Sequence, residues 1–235
     1  RVETRVRLRA NDRTMHFEAV VVADSNRGRM EAMGPFGVAL ATVVWRDSMW
    51  SVWLPSQGAL VRGTGDSLSL PVVGLRTIRP RELVGPFLGN VFSAPAGTPL
   101  RKVGGDDRQV VLMPLGRAPG WAITLDRASG IPLRRQILRN GRESERLSFG
   151  AWKLRAGVPV PDSVVRTGRD SQQVSLRLAD WSQLDSLDAR LLDLTLEKPV
   201  DTILVVRDGA GRQRYRIHPA SGATGSGDSV VDSLP

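Results

Sequence analysis

The feature that most constrains the fold of this chain is a recurring two-residue alternation of apolar and polar side chains, in short runs that each close on Gly, Asp or Asn. Alternation at that period places one set of side chains on each face of an extended strand. Short polar turns between such runs join neighbouring strands as antiparallel hairpins. A first series reads Thr14 to Ala23, Arg29 to Met33, Val38 to Trp45, Trp50 to Leu54 and Ala59 to Arg62. The loops between them are Ser25-Asn26-Arg27-Gly28, Arg46-Asp47-Ser48 and Pro55-Ser56-Gln57-Gly58.

A second series reads Gln109 to Pro114, Trp121 to Asp126, Pro132 to Arg139, Ser144 to Phe149, Ala151 to Leu154, Ser163 to Arg166 and Gln172 to Asp180. Asn140-Gly141 is a strong two-residue hairpin signal. Thr202 to Arg207 and Gln213 to His218 read as a last hairpin around Asp208-Gly209-Ala210-Gly211-Arg212. Between the two series, Thr77-Ile78-Arg79-Pro80-Arg81-Glu82 carries a cap residue, a Pro near a first turn and an acid behind it. Leu83, Val84, Phe87 and Leu88 follow at helical spacing, which predicts a short helix at 79–88 that Gly85-Pro86 kinks or ends early. Ser182 to Leu194 reads as a turn or one short helix.

The expected class is mainly β: a strongly curved antiparallel sheet of about ten or eleven strands that curls around something. The expectation is one domain over 1–218, in which 186–218 are extra C-terminal strands, followed by a disordered tail at 219–235.

Composition removes several kinds of chemistry. The 235 residues include no cysteine, so the chain as given has no thiol nucleophile, no Cys-ligated metal and no disulfide. The only histidines, His16 and His218, belong to no ligand motif, and no nucleophile elbow, phosphate-cradling loop or His-Glu-x-x-His is present. No catalytic residue, metal or cofactor is expected, and the chain is read as non-enzymatic. No apolar run reaches the roughly 18 residues that span a bilayer. The net charge of +9 invites a nucleic-acid reading, yet Arg is dispersed, as in Arg1, Arg5, Arg7 and Arg9, and no basic block occurs. Arg at every second position describes a half-exposed strand with a basic outer face, and an anionic partner of the phospholipid headgroup type ranks ahead of nucleic acid.

Six tryptophans stand against one tyrosine, with Trp45, Trp50 and Trp53 on one hairpin, placed either in core packing or along a wide apolar cavity. A curled sheet has a concave face that serves as a ligand site. Alternation assigns Leu60, Val111, Trp121, Leu125, Leu133, Leu147 and Leu176 to it. Gly34-Pro35-Phe36-Gly37 sets a turn whose third residue projects at the tip. Phe36 there either enters a lipid layer or a partner's groove, or folds back onto the sheet.

Several segments resemble the LolA/LolB superfamily of bacterial lipoprotein carriers, LolB more than LolA. They are, in order, Met33-Gly34-Pro35-Phe36-Gly37, the hairpin Trp50-Ser51-Val52-Trp53-Leu54-Pro55 to Val61-Arg62-Gly63, the helix at 79–88, Trp121-Ala122-Ile123-Thr124-Leu125, Ile131-Pro132-Leu133-Arg134-Arg135 and Val174-Ser175-Leu176-Arg177-Leu178-Ala179-Asp180-Trp181. The resemblance covers residues 5–185. It implies an open half-barrel, its hollow covered by one or two short helices, that holds the acyl chains of lipoproteins or phospholipids and delivers lipoproteins to the inner leaflet of the outer membrane, supplied by a periplasmic LolA-type donor. It implies a periplasmic location, with an outer-membrane anchor through an N-terminal lipidated Cys expected upstream of Arg1. It makes Pro35 and Phe36 the membrane-insertion tip. The alternative is a non-enzymatic LolA-like sensing or protein-interaction module of the cell envelope, its concave face filled by its own side chains.

Overall fold

The computed structural model describes residues 1–10, 13–24, 26–65, 68–70, 75–91, 97–116, 120–168, 172–194, 196, 200–207, 213–218 and 230–231. In chain order the strands are β1 (Val2–Ala10), β2 (Arg13–Ala23), β3 (Arg27–Met33), β4 (Ala39–Arg46), β5 (Met49–Leu54), β6 (Ala59–Thr64), β7 (Leu68–Leu70) and β8 (Leu75–Ile78). Helix α1 (Pro80–Val84) follows and continues as a 3-10 turn at Gly85–Leu88. Next come β9 (Leu100–Gly105), β10 (Gln109–Pro114), β11 (Trp121–Asp126), β12 (Pro132–Arg139), β13 (Arg142–Phe149), β14 (Trp152–Arg155), β15 (Val158–Pro161), β16 (Ser163–Gly168) and β17 (Gln173–Trp181). A 3-10 turn at Ala189–Leu192 precedes β18 (Asp201–Arg207), β19 (Gln213–His218) and β20 (Val230–Val231).

The chain divides into two compact units, the first made of Arg1, Phe17–Arg81 and Ser182–Pro235 and the second of Val2–His16 and Glu82–Trp181. In the first, the strand order is β20-β19-β18-β6-β5-β4-β3-β2; in the second it is β1-β17-β16-β13-β12-β11-β10-β9. The hairpins β7-β8 and β14-β15 stand apart from these orders. The mainly β class with an open sheet, not closed into a barrel, is as expected.

Three particulars differ. Among the described residues each unit's order has eight strands, where ten or eleven in all were expected, because segments such as Leu100–Gly105 also join the ladder. Strand β18 runs parallel to β6, from Asp201 beside Ala59 to Val205 beside Gly63, where an antiparallel sheet was expected. A parallel neighbour needs a long crossover, and here the connection from the end of β6 at Thr64 to the start of β18 at Asp201 takes in most of the chain. Helix α1 starts one residue later than expected and is short, because Pro86 has no N–H to donate to Glu82 and the ladder passes into a 3-10 turn that Gly89 closes at φ 77°. The 3-10 turn at Ala189–Leu192 is the short helical element read at 182–194.

Local chemistry accounts for the turns. Asn140 and Gly141 both take positive φ, 52° and 72°, as a two-residue hairpin requires. The turn at 208–212 lies outside the described residues. So does the segment 219–235 apart from Val230–Val231, which pair with β19.

In the first unit, Val43, Trp45, Trp50, Val52 and Val61 lie on one face of β4, β5 and β6 and are buried. In the second, Val2, Val6 and Leu8 alternate along β1 with exposed Arg5, Arg7 and Arg9, so the basic outer face expected from the sequence is present.

Candidate functional site

The second unit presents one well-defined apolar face. Successive cross-strand partners place Leu112, Ile123, Arg135, Leu147, Arg166, Val174 and Leu8 in a single row across β10, β11, β12, β13, β16, β17 and β1. Phe149, Val164, Leu176 and Val6 form a flanking row on the same face. The apolar members bury their surface here, and two guanidinium groups are set among them.

Each buried cation has a carboxylate. Arg166 donates through Nε and Nη2 to Glu145 Oε2 at 2.9 and 2.7 Å, with both side chains more than nine-tenths buried. Arg135 donates to Glu82 Oε1 at 2.8 Å and to the Val91 carbonyl at 3.3 Å. Glu82 lies within α1 and Val91 follows the 3-10 turn, so Arg135 fixes residues 82–91 onto this face. The Trp181 indole N–H adds a bond to the Phe87 carbonyl at 2.8 Å. Leu83, Val84 and Phe87 are buried, and Phe87 has no exposed surface. Charge-assisted hydrogen bonds in dry surroundings are strong, so this cover is held by few but directional contacts.

The residues expected to line a hollow fall in three places. Trp121, Leu125, Leu147 and Leu176 share the face of Arg135, the first two half-buried and the last two wholly covered. Leu133 is the extra residue of a bulge in β12 opposite Thr124 and Leu125. Val111 is on the other face: it pairs with Thr124, while Leu112 pairs with Ile123. One residue of register decides this, because side chains alternate along a strand. Leu60 belongs to the first unit, where it pairs with Trp53 and is buried.

Arg135, Arg166, Glu145 and Glu82 were not among the expected site residues. Their signal was a charge in phase with apolar neighbours, Arg135 with Ile137 and Arg166 with Val164.

In the first unit, the turn between β3 and β4 forms an apolar projection. The Gly34 N–H donates to the Val38 carbonyl at 2.8 Å, which pinches the base of the turn. Pro35–Gly37 makes a single 3-10 turn in which Phe36 adopts φ 62°, ψ 21°. A side chain in the left-handed region is strained by about 1–3 kcal/mol. Phe36 is fully exposed, at 103%, with Val38 at 59% and Leu40 at 41% beside it. Phe36 therefore does not fold back onto the sheet.

No family model matches the sequence, and no curated protein is similar enough to count as a relative. Solved structures are similar. An outer membrane lipoprotein-sorting protein domain from Vibrio parahaemolyticus is 14% identical, covering 82% of this chain and 88% of its own, with a TM-score of 0.51. A LolA superfamily protein from Nitrosomonas europaea is 12% identical over 82% of this chain and 89% of its own, at 0.52. A DUF1329 family protein from Desulfovibrio piger is 12% identical over 82% and 88%, at 0.51. At such identities the likeness is one of fold. What the strands and the short covering helix define is an open-sheet protein with a covered apolar face. Its fold is similar to those of these three structures, the LolA superfamily protein among them.

Proposed function

We propose that this protein is a non-enzymatic carrier or acceptor of the cell envelope. It holds the acyl chains of a lipoprotein or phospholipid and passes the cargo to the inner leaflet of the outer membrane. The observation that carries the reading is Phe36, wholly exposed with Val38 and Leu40 on one strained turn. Exposed apolar area of that kind is unfavourable in water and favourable in a lipid layer. The fold it shares with a lipoprotein-sorting domain supports the same reading.

In this reading Trp121, Leu125, Leu133, Leu147 and Leu176 form the wall against which acyl chains lie. On the same reading residues 82–91, held by Arg135 and Trp181, lift to admit a chain. Supply by a LolA-type donor and attachment through an N-terminal lipidated Cys belong to the same proposal.

A second reading rests on a specific observation: the face of the second unit is packed with its own side chains, Ile123, Leu147 and Val164 each no more than 1% exposed. That suits an envelope sensing or interaction module that takes no lipid.

Native mass spectrometry of protein purified from a bacterial host, with organic extraction of the bound material, separates the two. About one co-purified lipid or acylated peptide per chain, retained by Phe36→Glu but no longer transferred by it to liposomes, is the expected result. A bare chain that ignores added lipid turns the assignment to the interaction module, and normal transfer by Phe36→Glu removes the role of the tip.

A further inference from the structure

We propose a second ligand site in the first unit, for a single-chain carboxylate such as a medium-chain fatty acid, with Arg62 as its head-group ligand. Val44, Ser51, Arg62 and Leu204 are successive partners across β4, β5, β6 and β18. They occupy the face opposite Trp50 and Val52. Leu192, Asp193 and Leu194, at the end of the 3-10 turn, border this face and leave an open cavity of about 600 Å³. Val44, Met49, Leu192, Leu194 and Leu204 supply its apolar lining.

The bordering segment is fastened by two cations. Arg29 Nη1 donates to the Leu191 and Asp193 carbonyls at 3.1 and 3.3 Å. Arg46 Nη2 donates to Asp193 Oδ1 at 2.8 Å and to the Ala189 carbonyl at 3.3 Å. Asp193, the carboxylate at the cavity, is thereby engaged. Arg62 is exposed and has no ion-pair partner among the described residues. Ser51 pairs with it across the strands, and Thr64 follows two positions along on the same face. A guanidinium flanked by two hydroxyl groups matches the planar, bidentate acceptor geometry of a carboxylate. The aliphatic residues beyond it match a chain.

One head-group cation stands beside the aliphatic lining, which suits a ligand with one carboxylate and one chain. The site is separate from the acyl-binding face proposed for the second unit, and it uses Leu192, Leu194 and Leu204 from the segment beyond residue 185, for which the family resemblance has no account.

The test uses the full chain with octanoate, decanoate and dodecanoate below their micelle concentrations, followed by calorimetry and by methyl NMR. Dodecanoate is expected to bind one to one, to weaken by roughly fifteenfold for each two methylenes removed, and to shift the methyl signals of Leu192, Leu194 and Leu204. Arg62→Gln, an exposed substitution whose fold is checked by circular dichroism, is expected to weaken dodecanoate about tenfold while leaving the weak binding of dodecanol unchanged. Absence of binding to the unaltered chain, equal affinity in Arg62→Gln, or shifts confined to Leu147 and Leu176 would each overturn the proposal.

Discussion

Trp45 and Trp50 stand directly opposite each other on β4 and β5, and each lays its indole over a glycine of the next strand outward, Gly28 on β3 and Gly63 on β6. Neither glycine has positive φ, so backbone freedom is not what the position requires. Space is. A Cβ on Gly63 would stand 2.2 Å from Trp50 Cζ2, and one on Gly28 would stand 2.3 Å from Trp45 Cζ2. The two flat indoles thus fill, across four strands, the volume that two missing side chains leave. Gly63→Ala is expected to destabilise the chain by about 1–3 kcal/mol through overpacking, read by urea denaturation. In a Trp50→Leu background the same change is expected to be nearly neutral, and a similar loss in both backgrounds would show that the indole is not the cause.

Two turns carry a pH dependence whose sign follows from their hydrogen bonds. Asp106 Oδ1 accepts the backbone N–H groups of Arg108 and Gln109, both at 2.8 Å, and these bonds hold its carboxyl below the usual range. Asp126 Oδ1 accepts the Ser129 hydroxyl at 2.6 Å and the Ser129 N–H at 2.8 Å, with the same effect. The folded turns therefore bind fewer protons than the unfolded chain around pH 4. Their contribution is complete above the unfolded value of about 3.9 and is lost as pH falls through the lower folded values. Carboxyl NMR titration is the measurement: both groups should titrate below about 3.9, and Asp106→Asn should leave the Asp126 midpoint in place. A midpoint for Asp106 at or above the ordinary value would contradict the hydrogen-bond account.

The Arg166 and Glu145 pair makes an asymmetric prediction. Both charges are removed from water and they pair with each other at 2.7 Å. Glu145→Gln leaves a buried guanidinium without its counter-charge and is expected to cost about 3–5 kcal/mol. Replacing both, as Glu145→Leu with Arg166→Met, is expected to restore most of that loss, because the row already contains Leu147 and Val174. Equal destabilisation by the single and double variants in thermal unfolding would mean that packing geometry, not charge, holds this position.

How much of this was legible in the sequence depends on how local the deciding contacts are. The alternation of Val6 and Leu8 with Arg5, Arg7 and Arg9 describes β1 correctly because the strand's own period sorts its side chains. Asn140-Gly141 and the Gly34-Pro35-Phe36-Gly37 turn are equally local. Strand β18 beside β6 is not, since residues about 140 positions apart pair there and no period in either segment names its partner. Arg135 and Arg166 occupy inward positions that a sequence reading assigns to apolar side chains. Glu82 and Glu145, brought from other elements, pair with them and help make a charge tolerable there. Val111 lies on the face opposite Leu147 and Leu176 for a related reason: register depends on the neighbouring strand, and one residue exchanges the faces.

The contact between Arg135 and Glu82 decides how firmly residues 82–91 cover the second unit. Arg135 is nearly fully buried and anchors the segment at both ends, to the Glu82 carboxylate and to the Val91 carbonyl. Glu82 is partly open to solvent, at 15% side-chain exposure, so its replacement by Gln keeps the shape and a hydrogen-bonding oxygen while removing the charge. A charge-assisted bond is about twice as strong as a neutral one. Glu82→Gln is therefore expected to raise the local opening of 82–91 about tenfold, a difference of about 1.4 kcal/mol. Hydrogen exchange of the Phe87, Leu88 and Val91 amides measures this, with the amides of β12 and β13 as the internal reference. If the face beneath is where acyl chains lie, the same variant takes up lipid faster at unchanged thermal stability. Faster exchange without faster uptake would leave the cover intact as a structural element and move the acyl site elsewhere, whereas unchanged exchange would show that the Trp181 bond to Phe87 and the burial of Leu83, Val84 and Phe87 hold the segment without the ion pair.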